Sequence, residues 1–463
     1  MRRSIAKCIA IAAALAVTAG LAVAPAGPAA AEGATVLTVC RDAQLRAAIA
    51  AVPEGGTILF GCDGTIGINP NRGAIEIHKE LTLDANGHSV SISGGHRSQI
   101  FFLGLPGTVT MRGLTLKNGN LSGSAFGGGA VFVGDAKFVA DRMRFLNNQA
   151  GTLESGGDFL SGAGGAISVF GTSAELVVTN SEFVGNSVVC GFTCHPSGGG
   201  GAISLRNGGP SLIRTSVFRD NREIGGDGGG AIAATYVSGA SAFTLNGAVT
   251  IDYTTFENNT SNTAKTAGSE LRPVRGGGAV LSLSRPLTIA HSLFKSNTAD
   301  VDLVFFEGIQ ASGGAVRSGV VLALDGPRFP TSITDSTFTA NVARGSLSQG
   351  GAVSVDDQPV WISKSSMNEN RADRGAAVSI FGGSTRIIKS RLFDNVNTGD
   401  LGEDGAVWTA GRTIFSGTQL VDNTSGCYLA VIGTRVGEVV DKGDNIETPG
   451  HSCGFPPVGP LRP

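Results

Sequence analysis

Long helical periodicity is almost missing from this chain of 463 residues. One stretch, DAQLRAAIAAV (42–52), repeats apolar residues at helical spacing through Leu45, Ile49 and Val52. It is entered at Asp42 and closed by PEGG. Helical bundles and α/β domains are thereby excluded. Charge is sparse too: Asp, Glu, Lys and Arg make up 16% of the chain, and no basic tract occurs, so nucleic acid is not an expected partner. Only two Trp and three Tyr stand beside 23 Phe, which leaves few rings for stacking on sugars. After residue 24 no apolar run reaches the ~18 residues of a membrane helix. The mature protein is therefore expected to carry no membrane span.

The N-terminus differs in kind. Arg2, Arg3 and Lys7 precede an alanine-rich apolar run from Cys8 to Ala24, and PAAAEGA offers a small-residue cleavage site after Ala31. Residues 1–31 thus read as a secretory signal peptide, and the chain as secreted, extracellular and soluble. Cleavage there would leave 32 Lys and Arg against 37 Asp and Glu, a formal charge of −5. The six remaining cysteines fall as neighbours, Cys40 with Cys62, Cys190 with Cys194 and Cys427 with Cys453. Export and short loops favour three local disulfides. Metal binding through Cys190, Cys194 and His195 is the alternative, with two or three ligands in sight. No metal and no cofactor are expected.

What the chain does have is glycine, at 70 residues, and those glycines recur in register. A GGA[VI] step occurs at 128–131, 164–167, 200–203, 229–232, 277–280, 313–316 and 350–353, then degenerates to GAAV (375–378) and DGAV (404–407). Each is followed by an apolar residue with asparagine three positions on: Phe145/Asn148, Phe183/Asn186, Phe218/Asn221, Phe256/Asn259, Phe294/Asn297, Phe338/Asn341, Met367/Asn370, Leu392/Asn395 and Leu420/Asn423. Repetition at this period means a solenoid. In eight copies Ser or Thr stands two residues before the apolar anchor, on the same face of a strand. Stacked coils would then carry an inward column of Phe beside a ladder of hydroxyls. The asparagine would end the strand in a left-handed conformation and bond its neighbours above and below. The paired glycines would supply positive φ at a tight corner.

The shortest step, 25 residues from Ala352 to Ala377, suits one coil of three strands. Strand-like segments before residue 128 add about three coils. The expected fold is all-β: a single-domain right-handed parallel β-helix of about a dozen coils, roughly 60 Å long at ~4.8 Å per coil. Residues 32–53 would form an N-terminal cap built on the amphipathic helix, 54–425 the β-helix, and 426–463 a C-terminal cap and tail. Solenoid ends need such covers because open strand edges aggregate.

The alternating GGA[IVL] and FxxN motifs resemble the repeats of polymorphic outer-membrane proteins, within the right-handed β-helix proteins. CRDAQLRAAIAAVPEGGTILF…LTLDANGHSVSISG is similar to the capping segment of secreted bacterial β-helices. The resemblance covers roughly 36–425 and implies adhesion. That family's C-terminal membrane barrel has no counterpart here.

Function on a repeat frame belongs to its insertions. Those after Asn148, Asn186, Asn259 and Asn297 are long, and all leave one corner. The wall they form would carry Glu154, Asp158, His195, Glu270, Arg272, Arg275, Asp302 and Glu307. Asp158, His195, Arg272, Arg275 and Glu307 are the candidate binding residues, and a polysaccharide or cell-surface glycan is the expected partner. No catalytic residue can be named. Parallel β-helices also host polysaccharide lyases, hydrolases and epimerases, so an enzyme is the alternative. Its motifs are incomplete: RPVR (272–275) is one residue short of the lyase arginine spacing. The pair Asp356–Asp357 with RIIK (386–389) resembles polygalacturonases but lacks their intervening histidine.

Overall fold

The computed structural model describes residues 34–455, except 105, 122–126, 152–162, 190–198, 227, 236–246, 264–273, 302–309, 320–327, 346, 400–404, 433–434 and 449–452. Four long parallel sheets dominate the described residues. In the order in which a coil visits them, they are sheet I after the glycine corner, sheet II, sheet III carrying the Phe, and sheet IV after the asparagine. One coil runs Ile203–Asn207 (I), Ser211–Arg214 (II), Val217–Arg219 (III) and Arg222–Ile224 (IV). The sheets contain 12, 14, 13 and 9 described strands, each paired to the equivalent strand one coil away. The chain is a parallel β-helix. Thirteen strands at ~4.8 Å give the expected length of roughly 60 Å.

A coil has four strands, where the sequence suggests three. Sheet IV strands such as Gln149–Ala150 and Arg371–Ala372 are two residues long, too short for alternation to be legible, and they occupy what reads as the start of each insertion.

Phe145, Phe183, Phe218, Phe256, Phe294 and Phe338 are fully buried in one column. Successive rings stack with centroids 4.5–4.9 Å apart. Met367, Leu392 and Leu420 continue the column in register.

Beside it runs a continuous asparagine ladder. The Asn221 Oδ1 accepts from the Asn186 amide (3.1 Å) and Asn186 Nδ2 (3.0 Å). Its own Nδ2 donates to the Phe183 carbonyl (3.0 Å) and to Asn259 Oδ1 (2.9 Å). Full burial is tolerable because every polar atom of the side chain is engaged. The left-handed residue is the one before each asparagine, as at Asn147, Asp220, Asn258 and Glu369, not the asparagine itself. That preceding residue makes the bend, and the asparagine then locks it.

The hydroxyl column also differs in detail from the expected ladder. Ser292 Oγ accepts the Thr254 amide (3.2 Å) and donates to the Ala290 carbonyl (2.6 Å) in its own coil. Each hydroxyl thus bridges backbone groups rather than another hydroxyl.

The two corner glycines serve different ends. Gly200 has φ +75°, which L side chains avoid. At Gly201 the backbone is ordinary, but a Cβ would collide with the Gly230 carbonyl oxygen one coil away.

One interior feature has no trace in the repeat. Arg285 is fully buried at the corner between sheets I and II. It donates to the carbonyls of Leu205 (2.9 Å) and Gly247 (2.7 and 3.0 Å).

Both ends are closed. Helix α1 (Asp42–Ala51) buries Leu45 and Ile49 on the first-coil core. Arg46 ties it to the Gly73 and Ala74 carbonyls, and Cys40–Cys62 bridges it to the first coil. At the other end Cys427 bonds Cys453, and Phe455 packs edge-on against Phe415 at 5.1 Å. Glu447 accepts the amides of Cys453, Gly454 and Phe455.

Candidate functional site

Of the residues predicted to bind, Asp158, His195, Arg272 and Glu307 lie outside the described residues, as do Glu154, Glu270, Asp302, Cys190 and Cys194. Arg275 sits in a short strand, Val274–Gly276, paired in parallel with Gln310–Ser312, and its side chain is outside the described set. The described backbone does fix where the insertions depart. Those after Asn148, Asn186, Asn259 and Asn297 follow the sheet IV strands ending at Ala150, Val189, Thr263 and Val301, all on one edge of the stack.

On the next coils the insertions shorten, and that edge opens into a groove of about 760 Å³ running across three coils. Val342, Arg371 and Val396 form its floor, as the outward residues of sheet IV. Ala340, Glu369 and Asp394, each left-handed, form one bank, and Ser348, Asp373 and Thr398 the other. Asp373 is committed to structure: Oδ2 accepts the Ser348 amide (3.1 Å) and Oδ1 the Thr398 hydroxyl (2.8 Å). Arg344, Glu369, Arg371 and Asp394 are exposed and join no ion pair among the described residues. Cations and carboxylates therefore converge on one cleft with their charges unspent. The sequence holds a signal for it: RADR (371–374) is the shortest connection in the array, and among the described residues none covers the floor there.

The motif residues that resemble known enzymes go elsewhere. Asp356 is buried and forms an ion pair with Arg317 at 2.8 and 3.0 Å on the outer side of sheet I, while Asp357 pairs with Arg328 at 2.8 Å. Neither is a free carboxylate in a cleft. Arg386 and Lys389 are exposed on the opposite side of sheet III from the groove. His78, His88 and His291 pair with Glu76, Asp63 and Asp252 at 3.0, 3.1 and 2.9 Å. Among the described residues no three His, Cys, Asp or Glu are grouped to hold a metal ion.

Burial dominates the ionisation of two further arginines. It pushes the Arg285 guanidinium down to about 9 and that of Arg206 to about 10. Arg206 lies on the outer side of sheet I with its guanidinium 5.4 Å from the Phe170 ring centre. Both remain cations at neutral pH.

Fold and groove together define a parallel β-helix protein with a charged axial cleft. No protein-family model matches the chain, and no characterised sequence does either. A solved structure similar to it is the crystal structure of PfbA, a surface adhesin of Streptococcus pneumoniae, at 15% identity and a TM-score of 0.41 over 85% of this chain and 89% of that one. Among the described residues no helix is long and apolar enough to cross a membrane.

Proposed function

We propose that this is an exported, non-catalytic, adhesin-like repeat protein of the polymorphic outer-membrane type, which holds an extended surface polymer or glycan along the edge between sheets IV and I. The observation that carries the reading is the groove. Three successive coils put Arg344, Arg371, Glu369 and Asp394, in no ion pair among the described residues, around one groove on a backbone locked by the asparagine ladder. A rigid row of polar groups suits an elongated, hydrogen-bonding partner, since little order is lost on binding. The insertions with Asp158, His195, Arg272, Arg275 and Glu307 leave the same edge and would extend it over earlier coils. Two disulfides fit a protein that matures outside the reducing cytosol.

The test is binding of the mature chain to immobilised polysaccharides. Arg344→Ala with Arg371→Ala, and separately Arg272→Ala with Arg275→Ala, should weaken capture in a salt-sensitive way without lowering the melting temperature. Unchanged capture in both double variants refutes the edge as the binding face.

One observation favours the enzyme alternative. Glu369 and Asp394 occupy equivalent corners of adjacent coils, which sets two carboxylates on one bank of the groove. Glycoside hydrolysis is performed by a pair of carboxyl groups. Release of shorter or unsaturated sugars from uronate polymers, abolished by Glu369→Gln, would replace the adhesive reading with a catalytic one.

A further inference from the structure

On the opposite side of sheet III the same coils carry a different surface. Along most of the stack, charged neighbours on adjacent coils alternate in sign. Lys137 meets Glu175 at 3.1 Å, Arg144 meets Glu182 at 2.9 Å, Arg214 meets Asp252 at 3.2 Å and Lys295 meets Glu257 at 2.9 Å. This is what one-coil spacing demands, because like charges directly opposite one another are destabilising.

Coils 360–391 break the pattern. Lys364 and Lys389 occupy equivalent left-handed corners between sheets II and III on adjacent coils, with φ of +49° and +48°. The Lys364 amide bonds the Ile388 carbonyl at 2.9 Å, so one lysine is stacked directly on the next. Arg386 flanks them on sheet II and Arg391 on sheet III. All four cations are exposed, and none is in an ion pair among the described residues. Asp335, one coil earlier, is the carboxylate that faces them, and it accepts a hydrogen bond from Thr334 Oγ1 at 3.1 Å. Glu369 and Asp394 are separated from the lysines by the width of sheet III.

Three further features shape this cluster into a site. A groove of about 470 Å³ passes between Lys364, Lys389 and Arg391, with Thr337, Ser366 and Gln419 on its wall. The Arg391 guanidinium lies 4.4 Å from the Phe393 ring centre, which holds it in place on sheet III. Trp361 is 40% exposed and pairs in register with Arg386, three residues before Lys364 and so no more than ~10 Å from it along the strand. Among the described residues Tyr253 and Trp361 are the exposed large aromatic side chains, and Trp361 is the one beside this cluster. Stacked cations beside it meet the needs of a ligand with both apolar ring faces and repeated negative charge.

We infer that Trp361, Lys364, Arg386, Lys389 and Arg391 form a binding site for an acidic polysaccharide. A sugar ring lies on the indole, and sulfate or carboxylate groups sit between the stacked cations. The coil rise of ~4.8 Å is close to the length of one pyranose residue, so successive sugars of a chain running along the stack meet successive coils. The anion removes the repulsion between Lys364 and Lys389 that the free protein carries. RIIK thereby acquires a role through Arg386 and Lys389, without the catalytic partners of an enzyme. The site deepens the surface-binding reading by naming the polymer, and it lies on a different face from the sheet IV groove.

The experiment measures binding of the mature chain to heparin, alginate and neutral dextran, so that sulfate, carboxylate and uncharged sugar are separate arms. Dextran should not bind, and the stronger of the two acidic arms identifies the anion. Lys364→Gln with Lys389→Gln should weaken that binding by about tenfold or more, with a reduced salt dependence. The same variant should melt no lower than the parent, since a repulsion has been removed. Trp361→Ala should weaken it by about tenfold while leaving the salt dependence intact. Arg344→Ala with Arg371→Ala removes the cations of the other groove, and the loss caused by Lys364→Gln with Lys389→Gln should be as large in that background as in the parent. Unaltered affinity in the lysine variant overturns the site. Equal binding of dextran overturns the anion, and an inert Trp361→Ala overturns the sugar.

Discussion

Replacing Asn259 with alanine removes four hydrogen bonds from the interior at once. Its Oδ1 accepts the Asn221 amide (3.1 Å) and Asn221 Nδ2 (2.9 Å), and its Nδ2 donates to the Phe218 carbonyl (2.9 Å) and Asn297 Oδ1 (2.9 Å). The residue is fully buried, so water cannot substitute. The Asn221 amide is orphaned outright, whereas Asn297 Oδ1 keeps the backbone amide of residue 259 (3.0 Å). At about 1–3 kcal/mol for each group left unsatisfied, tempered by those retained contacts, the substitution should cost about 4–6 kcal/mol. The terminal member provides the control. Asn423 engages three groups, the amide and Nδ2 of Asn395 and the Leu392 carbonyl, and it is 6% exposed at the end of the ladder. Asn423→Ala should therefore cost about half as much. Because coils interact mainly with their neighbours, the damage should stay local. Urea unfolding followed by circular dichroism reads the magnitude, and hydrogen exchange should show protection lost across residues 218–297 first. A cost below about 1 kcal/mol, or equal costs at both positions, would mean that the ladder accompanies the fold without holding it.

Other expectations follow from the same geometry. Phe256→Ala should cost about 3–5 kcal/mol through the cavity it leaves in the ring column, while Glu257→Gln on the outer face should change the urea midpoint little. Gly201→Ala should destabilise despite an ordinary φ, because its Cβ meets the Gly230 carbonyl. Gly201→Ala expressed at parental yield with parental melting would refute the close approach. Burial pushes the Asp141 carboxyl up, but hydrogen bonds from Asn180 and Thr179 and the charge of Arg142 outweigh it and hold the carboxyl below its usual range. Its contribution is present above the unfolded carboxylate range and is lost as pH falls through the lower folded value, so Asp141→Asn should flatten the acid limb of the stability profile.

The repeat itself determined the inward Phe column and the bonded asparagines, and the spacing of neighbouring cysteines determined two of the disulfides. Each follows from strand alternation and from loop length, which are local properties that a spacing of residues records. Phe256 and Asn259 could be placed without knowing any neighbour except their own equivalents one coil away.

Tertiary structure decided the rest. Sheet IV emerged only when two-residue segments such as Arg371–Ala372 found partners, since pairing between coils, and not propensity, makes them strands. The left-handed residue before each asparagine is only partly written in residue type: Asn, Asp or Gly holds it in six of nine coils, but Ser296, Ala340 and Glu369 in the other three. Arg285 is a core residue because the Leu205 and Gly247 carbonyls converge on its guanidinium, a meeting across 80 residues from Leu205 that no periodicity carries. Charges were least legible. Lys364 and Lys389 are 25 positions apart in the chain, the length of one coil, so only closure of that coil sets one cation on the other. The insertion residues Asp158, His195, Arg272 and Glu307 show the opposite limit: their departure edge follows from the repeat, but the repeat says nothing about side chains beyond it. A solenoid writes its backbone into a periodic sequence because every coil meets nearly the same surroundings. What it binds depends on where that periodicity is broken.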